Sequence, residues 1–67
     1  MKIFIDNKEF EIHDNATVAQ ALALVDNLPK GGFAVAIGSD VVTRDKWDSA
    51  TLAEGTKITI FKAFFGG

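Results

Sequence analysis

The sequence predicts an α+β fold, in which a mixed sheet of about five strands packs one face against a single helix. Three observations predict it: short apolar runs bounded by turn residues, one stretch with helical spacing, and the order strand, strand, helix, then further strands. The chain has 67 residues and is 48% hydrophobic, which indicates one globular domain. With no cysteine and one histidine, it predicts neither disulfides nor a metal site.

The first two strands are predicted at Lys2–Ile5 and at residues 9–12, joined by a turn at residues 6–8. Asn7 tolerates a positive φ, which a tight hairpin turn requires. In the second strand Phe10 and Ile12 share one face while glutamates occupy the other. This alternation is typical of a strand with one buried and one exposed side.

A helix of about ten residues is predicted after residue 17, because apolar residues then recur with helical spacing. Four residues share its apolar face: Val18, Ala21, Leu22 and Val25. Thr17 and Gln20 have the spacing of a capping box, and Asn27 and Pro29 end the helix. We expect the apolar face to pack on the inner face of the sheet, formed by Ile3, Ile5, Val35, Ile37, Ile58 and Ile60.

The remaining strands are predicted at Phe33–Ile37, at residues 41–43 and at residues 57–63. Gly38 and Ser39 form a two-residue hairpin turn between the first two of these. Residues 44–52 are predicted to be irregular, with Trp47 as a partly buried anchor. Four side chains on the outer face are predicted to form a shallow docking surface for a partner: Phe4, Ala34, Ala36 and Phe61.

Charge and composition exclude several function classes. The net charge is −2 and no run of Lys or Arg occurs, which argues against nucleic-acid binding. Apolar runs of five residues are too short to span a membrane, so we expect a cytoplasmic protein that is monomeric when free. His13 lacks a serine at a spacing that suggests a catalytic triad, and one thin layer around a helix leaves little volume for a pocket. We therefore predict no catalytic residues.

The last four residues of the sequence are Phe64, Phe65, Gly66 and Gly67. Two final glycines arise by chance in roughly one chain in 200, so they carry moderate information. They form a narrow segment that can enter a slot closed to bulkier residues, with a carboxylate at its end. We expect a domain at residues 1–63 and a functional tail at residues 64–67, in which Phe64 or Phe65 contacts either the partner or the core.

Several motifs together resemble the ThiS family of ubiquitin-like sulfur carriers in thiamin biosynthesis. They are Thr17-Val18 at the helix start, Arg44-x-x-Trp47 followed by Thr51-Leu52, Gly55 before the last strand, and Gly66-Gly67. The resemblance covers nearly the whole chain and implies the β-grasp fold. Thr56 departs from the Gly-Asp often found in the family, and Phe65 is bulkier than the usual residue before the diglycine.

The resemblance implies that a ubiquitin-activating-type adenylyltransferase uses ATP to adenylate the Gly67 carboxylate. A persulfide donor then converts it to a thiocarboxylate, which supplies sulfur to thiazole synthase. Phe64, Phe65 and Gly66 would be recognised as the tail, and no cofactor would be bound permanently. Four alternatives stay open: the small subunit of molybdopterin synthase, a tRNA-thiolation carrier, a ubiquitin-like modifier and an interaction module.

Overall fold

The computed structural model describes residues 1–30 and 32–62. Its elements are β1 (Lys2–Ile5), β2 (Lys8–Glu11), α1 (Val18–Leu22), β3 (Phe33–Ile37), β4 (Asp40–Val42), a 3₁₀ helix (Arg44–Lys46) and β5 (Lys57–Lys62). The five strands form one sheet in the order β2-β1-β5-β3-β4. β1 and β5 are parallel and the other pairs are antiparallel, so the predicted mixed sheet with one helix is confirmed.

Both hairpins close through two-residue turns. Asp6 and Asn7 have φ values of 50° and 69°, and Lys8 already pairs with Ile5, so β2 begins one residue earlier than predicted. Gly38 has a φ of 62°, a conformation that glycine adopts without steric cost. Because Ile37 pairs with Asp40, β4 occupies Asp40–Val42 and not residues 41–43.

The helix is half as long as predicted. Thr17 Oγ1 accepts a hydrogen bond from the Gln20 backbone N–H, and the Gln20 side chain accepts one from the Thr17 N–H, which confirms the capping box. The α-helix ends at Leu22 because the next bonds join residues three apart, as from the Leu24 N–H to the Ala21 carbonyl oxygen at 3.0 Å. This tighter winding is a common way for a helix to end.

The start of α1 is tied to the connection between β4 and β5. The first N–H groups of a helix have no partner within the helix. Here the Val18 N–H donates to the Ala50 carbonyl oxygen at 2.9 Å, and the Ala19 N–H donates to that of Trp47 at 3.0 Å. The connection at residues 44–52 therefore supplies the partners that a five-residue helix cannot supply to itself.

The core lies between α1 and the inner face of the sheet. Its buried side chains are Ile3, Ile5, Val18, Ala21, Leu22, Val35, Leu52 and Ile58. The other predicted contacts, Val25, Ile37 and Ile60, are only partly buried at its edge. Leu52 joins the core because the connection folds back along the helix, a contact between distant segments that periodicity does not reveal.

Two valines on neighbouring strands test this arrangement. Val35 is fully buried, whereas Val41 is 65% exposed. Val35→Ala removes buried methyl groups and leaves a cavity, so it should lower the free energy of unfolding by about 2 kcal/mol. Val41→Ala makes the same chemical change at the surface and should alter it by less than about 0.5 kcal/mol. Urea unfolding of both variants gives the comparison, and equal losses would contradict the assigned register.

Candidate functional site

The candidate site lies at the end of β5, from which the sequence continues into its last five residues. β5 is the central strand, with β1 on one side and β3 on the other. The predicted tail residues Phe64, Phe65, Gly66 and Gly67 lie outside the described residues. The surroundings of Lys62, the last residue of β5, therefore define what the structure shows of this site.

On the β1 side, the pairing of β1 with β5 ends at Asp6, whose side-chain carboxylate makes the last contact with β5. The Asp6 backbone N–H donates to the Ile58 carbonyl oxygen at 2.9 Å, and Asp6 Oδ1 accepts a hydrogen bond from the Ile60 N–H at 3.0 Å. The chain turns away at Asp6, which has a positive φ, so its side chain takes the position of a further strand residue. Sequence reasoning treated Asp6 only as a turn residue and missed this contact.

On the β3 side, an aromatic pair stands beside the end of β5. Phe33 pairs directly with Lys62, and its ring stacks on Trp47 with centroids 5.3 Å apart and an interplanar angle of 21°. Trp47 Nε1–H donates to the Val42 carbonyl oxygen at 2.9 Å, which satisfies the polar end of the half-buried indole. Trp47 thus anchors the connection, as predicted.

Arg44 lies over the same indole. Its guanidinium carbon is 5.2 Å from the centre of the Trp47 ring, within the range of a cation–π interaction. Arg44 is exposed and forms no salt bridge within residues 1–30 and 32–62. A hydrogen bond from the Thr43 side chain lowers the pKa of the neighbouring Asp45 carboxyl, which favours its charged form.

The predicted docking surface is rearranged by the register of the strands. Ala34 lies opposite Phe61, which is 50% exposed, and Ala36 lies opposite Thr59 on one side and Val41 on the other. Residues directly opposite each other point to the same face. Ala36 is only 4% exposed and offers little surface, whereas Val41 is 65% exposed.

Phe4 lies apart from this group. It pairs with Lys57, four residues before Phe61, which is about 13 Å along the strand. The structure therefore brings Ala34, Val41 and Phe61 to one part of the outer face and places Phe4 at another. The two-residue turn at Gly38 and Ser39 was the signal that could have identified Val41, because it sets the register of β4 against β3.

The described part of the chain contains no cluster of three or more residues that could hold a metal ion. His13 is exposed.

An open groove of about 570 Å³ lies between the first hairpin and the residues after α1, which corrects the expectation of little pocket volume. Ile5, Phe10, Leu24 and Val25 contribute to its lining, and its acidic residues are Asp6 and Asp26. No helix among the described residues is long and apolar enough to cross a membrane.

Comparison with known proteins agrees with the fold described above. The model of the ThiS family matches residues 2–67. The solved structure of a thiamine biosynthesis protein (ThiS) from Geobacter metallireducens superposes with a TM-score of 0.81 at 17% identity, and the match covers all of both chains. This likeness shows that the fold is the ubiquitin-like β-grasp. A search of curated proteins found no match.

The Asp6 contact can be tested with two substitutions that both tolerate a positive φ. Asp6→Gly removes the acceptor and should lower the free energy of unfolding by about 1 kcal/mol, whereas Asp6→Asn keeps an oxygen in place. Amide exchange measured by NMR should be faster at the Ile60 N–H in the glycine variant. Equal exchange at Ile60 in the unaltered chain and both variants would show that the bond does not protect β5.

Proposed function

The chain belongs to the ThiS family of small sulfur carrier proteins, which are not enzymes themselves, and we propose that it carries sulfur as a thiocarboxylate on Gly67. The absence of cysteine carries this proposal most directly. A carrier without a thiol side chain has no group on which to hold a persulfide. The α-carboxylate of Gly67 is then the acceptor that remains.

The first proposed step activates this carboxylate. An ionised carboxylate is a poor electrophile, since it titrates near pH 3.5 and is stabilised by resonance. A carboxylate oxygen attacks the α-phosphorus of ATP, the bond to the bridging oxygen breaks, and pyrophosphate leaves. The product is an acyl adenylate, in which AMP is a good leaving group. This chemistry belongs to the partner adenylyltransferase, for which our chain is a substrate.

The second proposed step exchanges oxygen for sulfur. The terminal sulfur of a persulfide donor attacks the acyl carbon, the carbon–oxygen bond to AMP breaks, and AMP leaves. The attack forms a carbon–sulfur bond, and the donor stays attached through its original sulfur–sulfur bond. A thiol then attacks the donor's own sulfur and breaks that bond, which frees the thiocarboxylate and leaves the donor in a disulfide with the thiol. The thiocarboxylate is the species that thiazole synthase would consume in thiamin biosynthesis, the process named for the similar Geobacter protein.

The structure supports a distinction between a folded domain that ends with β5 and a short segment after it that carries the proposed reactive group. Ile58 is buried in the core, so β5 is held in the sheet. From Lys62 the sequence continues through only five more residues to the proposed reactive group. Five extended residues span at most about 18 Å, so an enzyme that holds the Gly67 carboxylate must also lie close to the end of β5.

The outer face of the sheet is the proposed docking surface for that enzyme. Phe61 lies one residue before Lys62 and is half exposed, with Ala34 opposite and Val41 exposed on β4. Aromatic side chains beside small ones form a flat apolar contact area, and such residues are enriched at protein interfaces. Two residues of the surface predicted from the sequence are not part of this group. Phe4 lies farther along the sheet, and Ala36 is buried within it.

Mass spectrometry tests the covalent chemistry. After incubation with its adenylyltransferase, ATP and a persulfide donor, the chain should gain the mass difference of sulfur for one oxygen, located on Gly67 by fragmentation. A chain that lacks Gly66 and Gly67 should show no change under the same conditions. Unchanged mass of the complete chain with an active enzyme would contradict the proposal. Conjugates to lysine side chains in place of a thiocarboxylate would also contradict it.

The docking surface is tested by Phe61→Asp. A charge placed in an apolar contact should raise the KM for this chain in the adenylation reaction at least about tenfold, with little change in the circular dichroism spectrum. Ser39→Asp adds the same charge in the exposed turn between β3 and β4 and serves as the matched control. Equal KM values for the Phe61 variant and the unaltered chain would remove this face from the interface.

A further inference from the structure

Arg44, Trp47 and Phe33 form an aromatic–guanidinium stack beside the end of β5, and the proposed chemistry assigns it no role. Trp47 is held by its hydrogen bond to the Val42 carbonyl oxygen and by stacking on Phe33. The indole is therefore fixed in position before any partner binds. Arg44, in turn, lies against this fixed ring.

The backbone of the connection explains why Arg44 and Trp47 meet. Arg44 begins the 3₁₀ helix, and Trp47 follows it as the C-cap residue, whose N–H donates to the Arg44 carbonyl oxygen at 3.2 Å. Residues three apart in a 3₁₀ helix lie on the same side. Asp45 is one residue along and therefore points to a different side of this turn. The nearby acids Asp45 and Asp48 form no salt bridge with Arg44 among the described residues.

A guanidinium in this setting is suited to bind a carboxylate. Stacking on an aromatic ring restricts the side chain, so less conformational entropy is lost when a ligand binds. The planar group presents N–H donors in a fork that matches the two oxygens of a carboxylate. Because Arg44 is exposed, these donors are accessible to a partner protein.

The location of the stack indicates which partner would meet it. Phe33 pairs with Lys62, so the stack and a second cation stand at the end of the sheet from which the sequence continues toward Gly67. An enzyme that acts on Gly67 must approach this end of the domain, because the five residues after Lys62 reach at most about 18 Å. An enzyme that approaches this end would meet the exposed guanidinium of Arg44.

We propose that Arg44, held by Trp47 and Phe33, binds a carboxylate on the surface of the enzyme that adenylates Gly67. This inference rests on the proposed function. It makes Arg44 a specificity-determining contact that selects an acidic site on the partner. Arg44 acts on recognition of the carrier and not on the acyl transfer itself, so its loss changes KM and leaves kcat nearly constant.

Steady-state adenylation, followed as pyrophosphate release, tests this role. Arg44→Ala should raise the KM for the carrier about tenfold or more, as expected when an interface loses an arginine–carboxylate contact, and Arg44→Lys should recover only part of the loss. The KM for ATP should stay unchanged. Lys46→Ala removes an exposed cation from the same 3₁₀ helix and should change the carrier KM by less than about twofold.

Each outcome decides between the hypotheses. No adenylation of the unaltered chain overturns the proposed function and this inference with it. Adenylation with equal carrier KM for the unaltered chain and the Arg44→Lys variant overturns the inference alone. An effect of Lys46→Ala equal to that of Arg44→Ala, or a change confined to the KM for ATP, also overturns it. Thermal unfolding shows whether Arg44→Ala remains folded; if it does not, the lysine variant decides.

Discussion

Two hydrogen bonds join the start of the helix to the connection between β4 and β5, from Val18 to Ala50 and from Ala19 to Trp47. A helix of five residues is not stable alone, because nucleation costs more than so few bonds return. Ala50 and Trp47 provide carbonyl acceptors for its first N–H groups, and the capping box satisfies the next. These bonds bring Leu52 into the core and fix the place of Trp47, so the helix and the connection stabilise each other.

The same arrangement connects stability with the surroundings of the tail. Trp47 belongs to the connection that supports the helix, and its ring reaches Phe33 at the end of the sheet. On the opposite side of β5, where β1 ends, the Asp6 carboxylate accepts the hydrogen bond from the Ile60 N–H that a further strand residue would accept. The last residues of the central strand are thus bounded by a carboxylate on one side and by an aromatic pair on the other. Local order at this end arises from contacts made by distant parts of the chain.

The sequence allowed the order of elements, the capping box, the turn at Gly38 and the anchoring role of Trp47 to be predicted, because each depends on local spacing. The helix end at Leu22 could not be predicted, since Val25 continues the apolar period although the hydrogen bonding has already changed. The docking surface stays a prediction, and the positions of its four residues could not be derived from local spacing. Strand register, a non-local property, buries Ala36, separates Phe4 from Phe61 and adds Val41. The Asp6 contact spans 54 residues and leaves no periodic signal.

The central position of β5 has a mechanical consequence. An enzyme that holds the end of this chain would pull along the axis of β5. The hydrogen bonds of β5 to the antiparallel β3 run perpendicular to that axis, and those to the parallel β1 cross it at a slant. Tension is then shared by many bonds at once, as in shear, and does not open them one after another as in unzipping. A strand at the edge of the sheet would peel away under the same load. The topology suits the proposed function, in which an enzyme binds the end of the chain while the domain remains folded.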